Sequence, residues 1–275
     1  MWDARDTKDY WEERTRPYLG TEAELASVTA TGLPGSFARY TDWLERRTLR
    51  GVVKYLRDDA PLLEVGCGYG RWFEFWGRKA RPFVGVDFTL SLINRAKARH
   101  PEALWVVADA RHLPFRAGAF EEICSVKVLQ FLPQGERGKA LREFLRVLSS
   151  RGTGILLEKI RDQDGSPPGE WTRWLTASGG KLVTWSGSEY APLDRAFEAL
   201  RNVFHRWAGK GKANLPAAST PGSPGLVRRR WARLYGAYLG VRRVVIGISR
   251  VLEPLIEKIL PPHWAAHGLF VFRKT

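Results

Sequence analysis

Cysteine is nearly absent from this chain: the 275 residues include two, Cys67 and Cys124, far apart in sequence. Two distant thiols form neither a disulfide framework nor a cysteine metal cluster, so we expect a protein of the reducing cytoplasm. The five histidines show no metal-ligand spacing; His263 and His267 lie four residues apart without Cys or Glu companions. We therefore expect no metal site.

Long apolar runs are also lacking, and none reaches the roughly 18 residues of a spanning helix. The first 18 residues are charged and have no apolar core, so no signal peptide is expected. Acidic residues are scarce, with 29 Asp and Glu against 44 Lys and Arg, a net charge of +15. The excess lies mainly after residue 200. Such a region favours nucleic acid, an anionic membrane surface or acidic substrates as partners.

Glycine is present in a pattern that points to a ligand. Gly66, Gly68 and Gly70 alternate directly after the short, largely apolar run Leu62–Val65 and before a helical segment. Open α/β sheets bind nucleotide-like ligands with this order of strand, glycine turn and helix. Glycine lets the backbone turn sharply and approach the ligand closely. A dinucleotide fingerprint would need its third glycine where this chain has Arg71.

The spacing Glu64-x-Gly66-x-Gly68-x-Gly70 resembles the first motif of the class I S-adenosylmethionine (SAM) dependent methyltransferases, an acidic residue followed by GxGxG. SAM carries a sulfonium cation, an amino acid end and an adenosine. An acidic strand end suits cationic groups, whereas it would repel a phosphate. The alternative is a glycine-rich turn in another α/β protein. The resemblance implies that these residues, with Cys67 among them, bind the cofactor.

Two further segments resemble the family's next motifs. GVDFTLSLINRAKAR is similar to the second motif, which implies that Asp87 accepts hydrogen bonds from the ribose hydroxyls, with Phe88 beside it. A third apolar run, Leu104–Val107, predicts the next strand, and the segment VVADARHLPF at its end is similar to the adenine-binding segment. There the resemblance implies that Asp109 accepts a bond from the adenine amino group and that the backbone of Ala110 meets the ring.

The segments GAFEEICSVKVLQFLP and REFLRVLSSRGTGILLEK resemble the family's fourth and fifth strands, so the likeness spans about residues 61–159. It implies that Lys127 to Gln130 lie at the carboxyl end of the fourth strand, where relatives line the active site, with Lys127 on the cofactor side. Ser149–Arg151 replace the usual Lys-Pro-Gly after the following helix. Glu158 ends the fifth strand and is expected to orient an amine or to accept a proton.

Methyl transfer from SAM is an in-line displacement for which the enzyme supplies proximity, alignment and a dry pocket. The candidate catalytic residues are Glu158 and His112, and the alternative for His112 is a loop histidine without function. Tyr10 and Trp11 are candidates to contact SAM or the acceptor, because an aromatic face attracts a cation; they could equally be packing residues. Trp171 and Gln130 are further candidates for the acceptor side.

The expected fold is a Rossmann-like α/β domain with a seven-stranded, mostly parallel sheet and flanking helices. An N-terminal helical cap is predicted at 1–57, with a loop at 19–36. A SAM-binding core is predicted at 58–207, with a loop and short helix in the tryptophan-containing segment 161–187 and its sixth strand at Asn202–Trp207. A basic, helical insertion at 208–267 precedes the last core strand at 268–275.

Within the insertion, apolar residues recur every three to four positions, which predicts an amphipathic helix, broken or kinked near Pro254. These residues are Trp231, Leu234, Tyr238, Val241, Val245, Ile248, Leu252, Leu255 and Ile259. Arginines occupy much of the rest. Such a helix packs on the sheet or on a partner chain, lies on an anionic membrane, or caps an apolar acceptor.

Three functions remain open. The first is N- or O-methylation of a small-molecule or lipid-like acceptor, with the pocket covered by the N-terminal helices and the insertion, and with S-adenosylhomocysteine as product. The second is methylation of RNA or protein through the basic region. The apolar half of the insertion is larger than RNA binding needs, so nucleic acid is disfavoured. The third is SAM binding without catalysis. The oligomeric state is not determined by the sequence.

Overall fold

A computed structural model of the chain describes residues 7–29, 35–76, 82–161, 165–190, 240 and 244–275. The chain divides into two compact units, Met1–Glu189 with Leu260–Thr275, and Tyr190–Ile259. The first unit contains the sheet, and the second contains a helix at 244–259. The predicted end of the core at 207 lies outside the described residues.

Seven strands form one sheet in the order β3-β2-β1-β4-β5-β7-β6. The five strands β1 to β5 pair in parallel, and β7 runs antiparallel between β5 and β6. The predicted seven-stranded, mostly parallel Rossmann-like sheet is therefore confirmed. The strands are β1 (Leu62–Val65), β2 (Phe83–Asp87), β3 (Leu104–Val107), β4 (Phe120–Val126), β5 (Leu148–Lys159), β6 (Gly180–Ser188) and β7 (His267–Lys274).

The centre of the sheet is buried on both faces, and its strands are largely apolar. All four residues of β1 are buried, as are all five of β2. A continuous apolar run is typical of a parallel strand that helices cover on both sides. The edge strand β3 is more exposed, and Leu104 is 67% exposed.

The helices within the described residues are divided between the two units. They are α1 (Lys8–Thr15), α2 (Glu24–Thr29), α3 (Gly35–Arg50), α4 (Phe73–Trp76), α5 (Leu90–Arg99), α6 (Gln134–Val147), α7 (Pro168–Ala177) and, in the second unit, α8 (residues 244–259). The hydroxyl of Thr7 caps α1 by accepting the backbone N–H of Tyr10 at 3.3 Å.

The N-terminal helices are attached to α5 by a buried carboxylate. Glu24 accepts hydrogen bonds from Arg95 Nε at 2.6 Å, from Arg99 Nη1 at 3.3 Å and from the backbone N–H of Gly20 at 2.9 Å. Glu12 on α1 accepts the N–H of Ser91 at 3.1 Å. These contacts fix α1 and α2 beside the carboxyl end of β2.

The structure corrects the predicted sixth strand. β6 is Gly180–Ser188, whereas 202–207 lie outside the described residues. Its β-branched and aromatic residues suit a strand, and Trp185 pairs with Phe270 of β7. A tryptophan-containing segment predicted as loop and short helix therefore forms α7 and then β6.

Two local predictions also differ from the structure. The segment 19–36, predicted as loop, contains α2. The helix predicted to break or kink near Pro254 is helical without interruption from 244 to 259; its predicted beginning, from 231, lies outside the described residues except for residue 240. None of the helices within the described residues combines the length and apolarity that a membrane crossing requires.

Candidate active site

A pocket opens at the carboxyl ends of β1, β2, β3 and β4. Between β1 and β4 the strand order reverses, and open α/β sheets bind their ligands at this crevice. The segments that follow four parallel strands, together with α1, α2 and α3, form its wall. The residues that line the pocket include Trp11, Arg14, Val28, Glu45, Gly66, Cys67, Gly68, Arg71, Asp87, Phe88, Leu92, Asp109, Ala110, Arg111, Lys127, Val128, Gln130, Phe131 and Leu132.

The glycine turn uses its glycines for two different purposes. Gly66 has φ 76°, and a Cβ there would lie 2.1 Å from Cγ2 of Val128. Gly68 has φ 55°, and a Cβ there would meet only Val28, at 3.9 Å. Gly66 is therefore needed for close packing against the loop after β4, whereas Gly68 leaves open space in the pocket. Gly70 packs against Trp105 behind the turn and does not line the pocket.

Asp87 joins the tip of β2 to the glycine turn. One carboxylate oxygen accepts the N–H of Gly68 at 3.0 Å, and the other accepts the N–H of Thr89 at 2.9 Å. A carboxylate offers about four lone-pair positions, so Asp87 retains acceptor capacity towards the pocket. Burial raises the pKa of Asp87, although these two N–H groups favour its charged form.

Asp109 follows β3 and is held by its neighbour Arg111. The guanidinium donates from Nε to Oδ1 at 2.9 Å and from Nη2 to Oδ2 at 2.6 Å. Burial opposes ionisation, but the Arg111 hydrogen bonds outweigh it and lower the pKa of Asp109. A charged acceptor thus lies beside Ala110 in the pocket wall.

Glu64 lies behind the wall rather than in it. The residue is completely buried, and neither carboxylate oxygen has a hydrogen-bond partner among the described residues. Burial raises the pKa of Glu64 well above its ordinary value, and the nearby Asp87 adds to the rise while Arg71 opposes it. An unsatisfied buried carboxyl is costly and uncommon, so Glu64 marks a place where a cationic or donor group of a ligand would be favoured.

A buried chain of alternating charges lies along the pocket at the ends of β1 and β4. Arg71 donates from Nη1 to Asp42 at 2.8 Å and from Nη2 to Glu45. Lys127 Nζ lies 2.9 Å from Glu45 Oε1 and donates to Glu189 Oε1 at 2.6 Å. We call these five residues the ion chain. It connects α3 to the residues that follow β1, β4 and β6.

The ion chain keeps its acids charged. Burial alone would raise the pKa of Glu45, but the charges of Arg71 and Lys127 outweigh it and lower that pKa. Burial likewise opposes the charge of Glu189, yet His267, whose Nδ1 lies 3.1 Å away, and Lys127 lower its pKa. Lys127 itself adopts φ 57°, an unusual backbone conformation for a lysine.

Glu158, predicted to face the acceptor, instead supports the loop after β4. Its carboxylate accepts three backbone N–H groups, those of Val128, Leu129 and Gln130, at 2.9–3.1 Å. The residue is completely buried and does not line the pocket. Burial raises the pKa of Glu158 to about 7, against the effect of the three N–H groups. This geometry makes Glu158 a positioning residue for the pocket wall.

The structure separates the remaining acceptor-side candidates. Trp11 lines the pocket, 8% exposed, with its ring edge-on to Phe131 at 5.0 Å. Gln130 also lines it, and its buried Oε1 has no hydrogen-bond partner among the described residues. Tyr10 stands outside the lining and accepts a hydrogen bond from Arg14 at 2.8 Å.

Two predicted residues differ in position from the expectation. Trp171 is completely buried in the core, edge-on to Trp174 and tilted against Phe270, away from the pocket. Its place on the inner face of α7 explains this, because that face packs on the sheet. His112 is exposed in the loop after Asp109 and is not part of the lining.

Several pocket residues were not identified from the sequence. Glu45 lies on the buried face of α3 beside Leu44 and Leu49, so a charged residue within an apolar stripe was the available signal. Arg71 occupies the position where a dinucleotide fingerprint would have glycine. Arg14 gave no comparable signal, because its contacts depend on the tertiary fold.

Comparison with known proteins places this pocket in a family. Residues 63–156 match the family model of the methyltransferase domain. A ubiquinone/menaquinone biosynthesis C-methyltransferase of Campylobacter jejuni is 27% identical over 137 residues, 47% of this chain and 57% of the relative. A tRNA (carboxymethyluridine(34)-5-O)-methyltransferase of Xenopus tropicalis is 28% identical over 168 residues, 58% of this chain and 26% of the relative.

Solved structures of other proteins share the fold of this chain. The cyclase SpnF has a TM-score of 0.55 at 19% identity, covering 85% of this chain and 82% of its own. A putative sarcosine dimethylglycine methyltransferase from Galdieria sulphuraria has a TM-score of 0.55 at 12% identity, covering 86% and 88%. Identities this low show the fold alone.

The fold and the pocket define the class: a Rossmann-like domain that binds its ligand at the ends of parallel strands. Residues 63–156 match the methyltransferase domain, and the sheet has the fold of the class I SAM-dependent methyltransferases. The chain spans a little over half the length, 57%, of the Campylobacter relatives. The pocket fits the family's cofactor SAM, since Gly68 leaves space, Asp87 retains acceptor capacity and the buried Glu64 lacks a partner.

Proposed function

We propose that this protein transfers a methyl group from SAM to a small-molecule or lipid-like acceptor, releasing S-adenosylhomocysteine. One observation carries the proposal: the carboxylates of Asp87 and Asp109 line one pocket with the open glycine turn, and the unpartnered Glu64 lies behind it. Three acids around one cavity suit a ligand with a sulfonium and an ammonium group. The matched methyltransferase domain supports the same conclusion.

In this proposal each pocket residue has a distinct role towards the cofactor. Asp87 accepts the two ribose hydroxyls with its remaining lone pairs, and Phe88 and Leu92 cover the nucleoside. Asp109 accepts the adenine amino group, and the backbone of Ala110 meets the ring edge. Gly66 to Gly68, including Cys67, surround the amino acid end, near Glu64 and Lys127. When bound, SAM supplies an electrophilic methyl group on a good leaving group.

The chain's own contribution to the chemistry is alignment and exclusion of water. The wall after β4 is fixed by Glu158 through its three N–H contacts. Trp11, Val28, Phe131 and Leu132 form an apolar side of the pocket. This side suits an acceptor with an apolar or aromatic body, and the buried Oε1 of Gln130 would accept a donor group on it.

Two acids of the pocket, Glu45 and Asp109, are weak bases. The pKa values of Glu45 and Asp109 are lowered by their basic neighbours, so neither is suited to take a proton near neutral pH. No histidine occurs among the described residues that line the pocket. These observations favour an acceptor atom that is already nucleophilic, such as an amine, an enolate-like carbon or a phenolate. A relative named as a C-methyltransferase makes carbon an additional option.

Calorimetry with SAM and S-adenosylhomocysteine tests the cofactor site. We expect wild type to bind both, and Asp87→Asn to bind at least about tenfold more weakly, because one loop contact and a charged ribose acceptor are lost. Asp59→Asn is the matched control, since Asp59 is 79% exposed on its side chain and does not line the pocket. Absence of binding by folded wild type would contradict the proposal.

Transfer of a labelled methyl group from SAM into cell lipids, small molecules, protein and RNA tests the reaction and the acceptor class. We expect label in the lipid or small-molecule fraction. Label in RNA alone would favour the second candidate, a nucleic-acid methyltransferase, which the similarity to tRNA methyltransferases supports. SAM binding without transfer to any fraction would favour the third candidate, a protein that binds SAM without catalysis. The similar fold of the cyclase SpnF shows that this fold is not restricted to one reaction.

We also propose, for the second unit, a peripheral contact with an anionic membrane. The basic composition of the region around α8 supports it, with ten lysines and arginines against two glutamates between residues 208 and 267. Adjacent basic residues attract a polypeptide to anionic lipid.

A further inference from the structure

The helix α8 exposes one continuous apolar face. Val244, Ile248, Val251, Leu255 and Ile259 are between 46% and 77% exposed, and they follow one another at intervals of three or four residues. At about 100° per residue, this spacing keeps all five side chains within one narrow sector of the helix. The stripe runs along the full length of the helix, roughly 24 Å at 1.5 Å per residue.

The opposite side of α8 is buried. The exposure of the stripe is therefore confined to one face of the helix and does not extend around it. Ile246, Ser249 and Glu253 are at most 6% exposed and lie on the other side of the helix. Glu253 accepts the backbone N–H of Tyr190 at 2.6 Å within the same unit. A large apolar face left in water by a helix that is already anchored marks an interaction surface.

We propose that the apolar stripe of α8 inserts into the interface of an anionic lipid bilayer. The proposal gives a surface to the membrane contact proposed above, and it does not depend on the methyl-transfer reaction. Charge complementarity selects this occupant. The chain carries a net charge of +15, and the surrounding segment 208–267 is strongly basic.

Two other occupants match the combination of apolar stripe and basic charge less well. A second copy of the chain would also carry a net charge of +15, so the two copies would repel each other. A nucleic acid would satisfy the charge, but phosphate contacts are made by cationic and polar groups and give no role to five exposed aliphatic side chains. A bilayer interface takes both an apolar stripe and basic flanks.

The test is sedimentation of the full-length protein with sonicated vesicles of phosphatidylcholine containing about one third phosphatidylglycerol. We expect wild type to pellet with these vesicles and to stay in solution with pure phosphatidylcholine. Val251→Glu with Leu255→Glu should weaken pelleting at least about tenfold, because two charges would enter the apolar layer. Leu104→Glu is the matched control, since Leu104 is 67% exposed on an edge strand and Val251 is 68% exposed.

A fluorescent label reports insertion directly and does not depend on the glutamate variants folding. Cys67 and Cys124 are buried, so an introduced surface cysteine, Ile248→Cys, accepts a polarity-sensitive dye selectively. We expect its emission to shift to the blue with the anionic vesicles, whereas the same dye on Leu104→Cys should not shift. Calorimetric SAM binding, measured in parallel, separates a failure here from a failure of the proposed function.

Several outcomes would overturn the proposal. Wild type that stays in solution with anionic vesicles, or pellets equally after the glutamate substitutions, would refute insertion of the stripe. A dye on residue 248 that does not shift would do the same. Dimerisation lost in the glutamate variant would assign the stripe to a second copy, and pelleting abolished by excess tRNA without a dye shift would assign the basic region to nucleic acid.

Discussion

The contact between the glycine turn and the loop after β4 predicts that Gly66→Ala lowers the free energy of unfolding for two reasons. One is the backbone conformation of residue 66, and the other is its packing against Val128. In Gly66→Ala the new Cβ would lie 2.1 Å from Cγ2 and 2.9 Å from Cγ1 of Val128, so one side chain must move. The φ of 76° adds the left-handed penalty of about 1–2 kcal/mol for a residue with a Cβ. Overpacking adds about 1–3 kcal/mol. We expect the free energy of unfolding to fall by about 2–5 kcal/mol.

A double-mutant cycle separates the two contributions. Val128→Ala removes both γ-methyl groups. In that background Gly66→Ala should lower the free energy of unfolding only by the backbone penalty of about 1–2 kcal/mol and a small packing cost against the remaining Cβ of residue 128, at 3.0 Å. The coupling energy should therefore be about 1–3 kcal/mol. Urea denaturation followed by circular dichroism measures each of the four free energies.

Gly68→Ala is the matched control, because it adds the same methyl group at φ 55° with only Val28 nearby, at 3.9 Å. Its stability cost should be about 1–2 kcal/mol and independent of the residue at 128. Since its Cβ points into open space of the pocket, calorimetry should show a larger loss of SAM affinity than of stability. Equal costs of Gly66→Ala in both backgrounds would refute the packing argument.

Three further predictions concern buried charges. Glu158→Ala should lower the free energy of unfolding by at least about 3 kcal/mol, because three backbone N–H groups lose their acceptor; a fully stable but inactive variant would instead indicate a catalytic acid. His267 has a pKa lowered by burial below its ordinary 6.5, so its contribution to stability is present above that pH and is lost as the pH falls below it. Urea titrations at a series of pH values should show this decline, by at most about 1.4 kcal/mol per pH unit, and His267→Gln should flatten it. Glu24→Gln should loosen the N-terminal helices, seen as faster trypsin cleavage near α1 with the core intact, while Glu22→Gln, an exposed neighbour, should leave the rate unchanged.

The order of the sheet was predictable because its signals are local. Each of the first five strands ends in a turn or an acid whose spacing from the glycine turn is readable, and Leu104–Val107 was predicted with the same bounds as β3. β6 was misplaced for the opposite reason. Gly180–Ser188 alternates less clearly, and what makes it a strand is its pairing with β7, about 80 residues later.

The cofactor side of the pocket was predictable as well, since Asp87, Phe88, Asp109 and Ala110 directly follow strands whose ends meet at one edge. The acceptor side was not. Trp171 and Trp11 carry the same side chain in short helices, of ten residues for α7 and eight for α1, yet one is in the core and the other lines the pocket. That difference is decided by which helix packs on the sheet and which reaches over its end.

The ion chain shows most clearly why side-chain roles escaped the sequence. Glu45, Lys127 and Glu189 are widely separated along the chain. In the sequence alone, each of them looks like an ordinary surface charge. Together they let a lysine and two glutamates remain charged while buried, which isolated groups could not do. Their pairing depends on α3 crossing the ends of β1 and β4.

The acids of this pocket combine structural and ligand roles, and this affects how any variant should be interpreted. Asp87 holds the glycine turn through Gly68 while it retains acceptor capacity, and Glu158 holds the wall without reaching the pocket. Loss of methyl transfer in either variant therefore has two distinct causes. If the substitution disturbs the loop after β4, methyl transfer should decline together with the free energy of unfolding and should recover under stabilising conditions. If it removes a ligand contact, methyl transfer should stay low in a fully folded protein, and weaker SAM binding should appear first. On this criterion Asp109, whose polar contacts are to its own neighbour Arg111, is the acid whose substitution should affect affinity most and stability least.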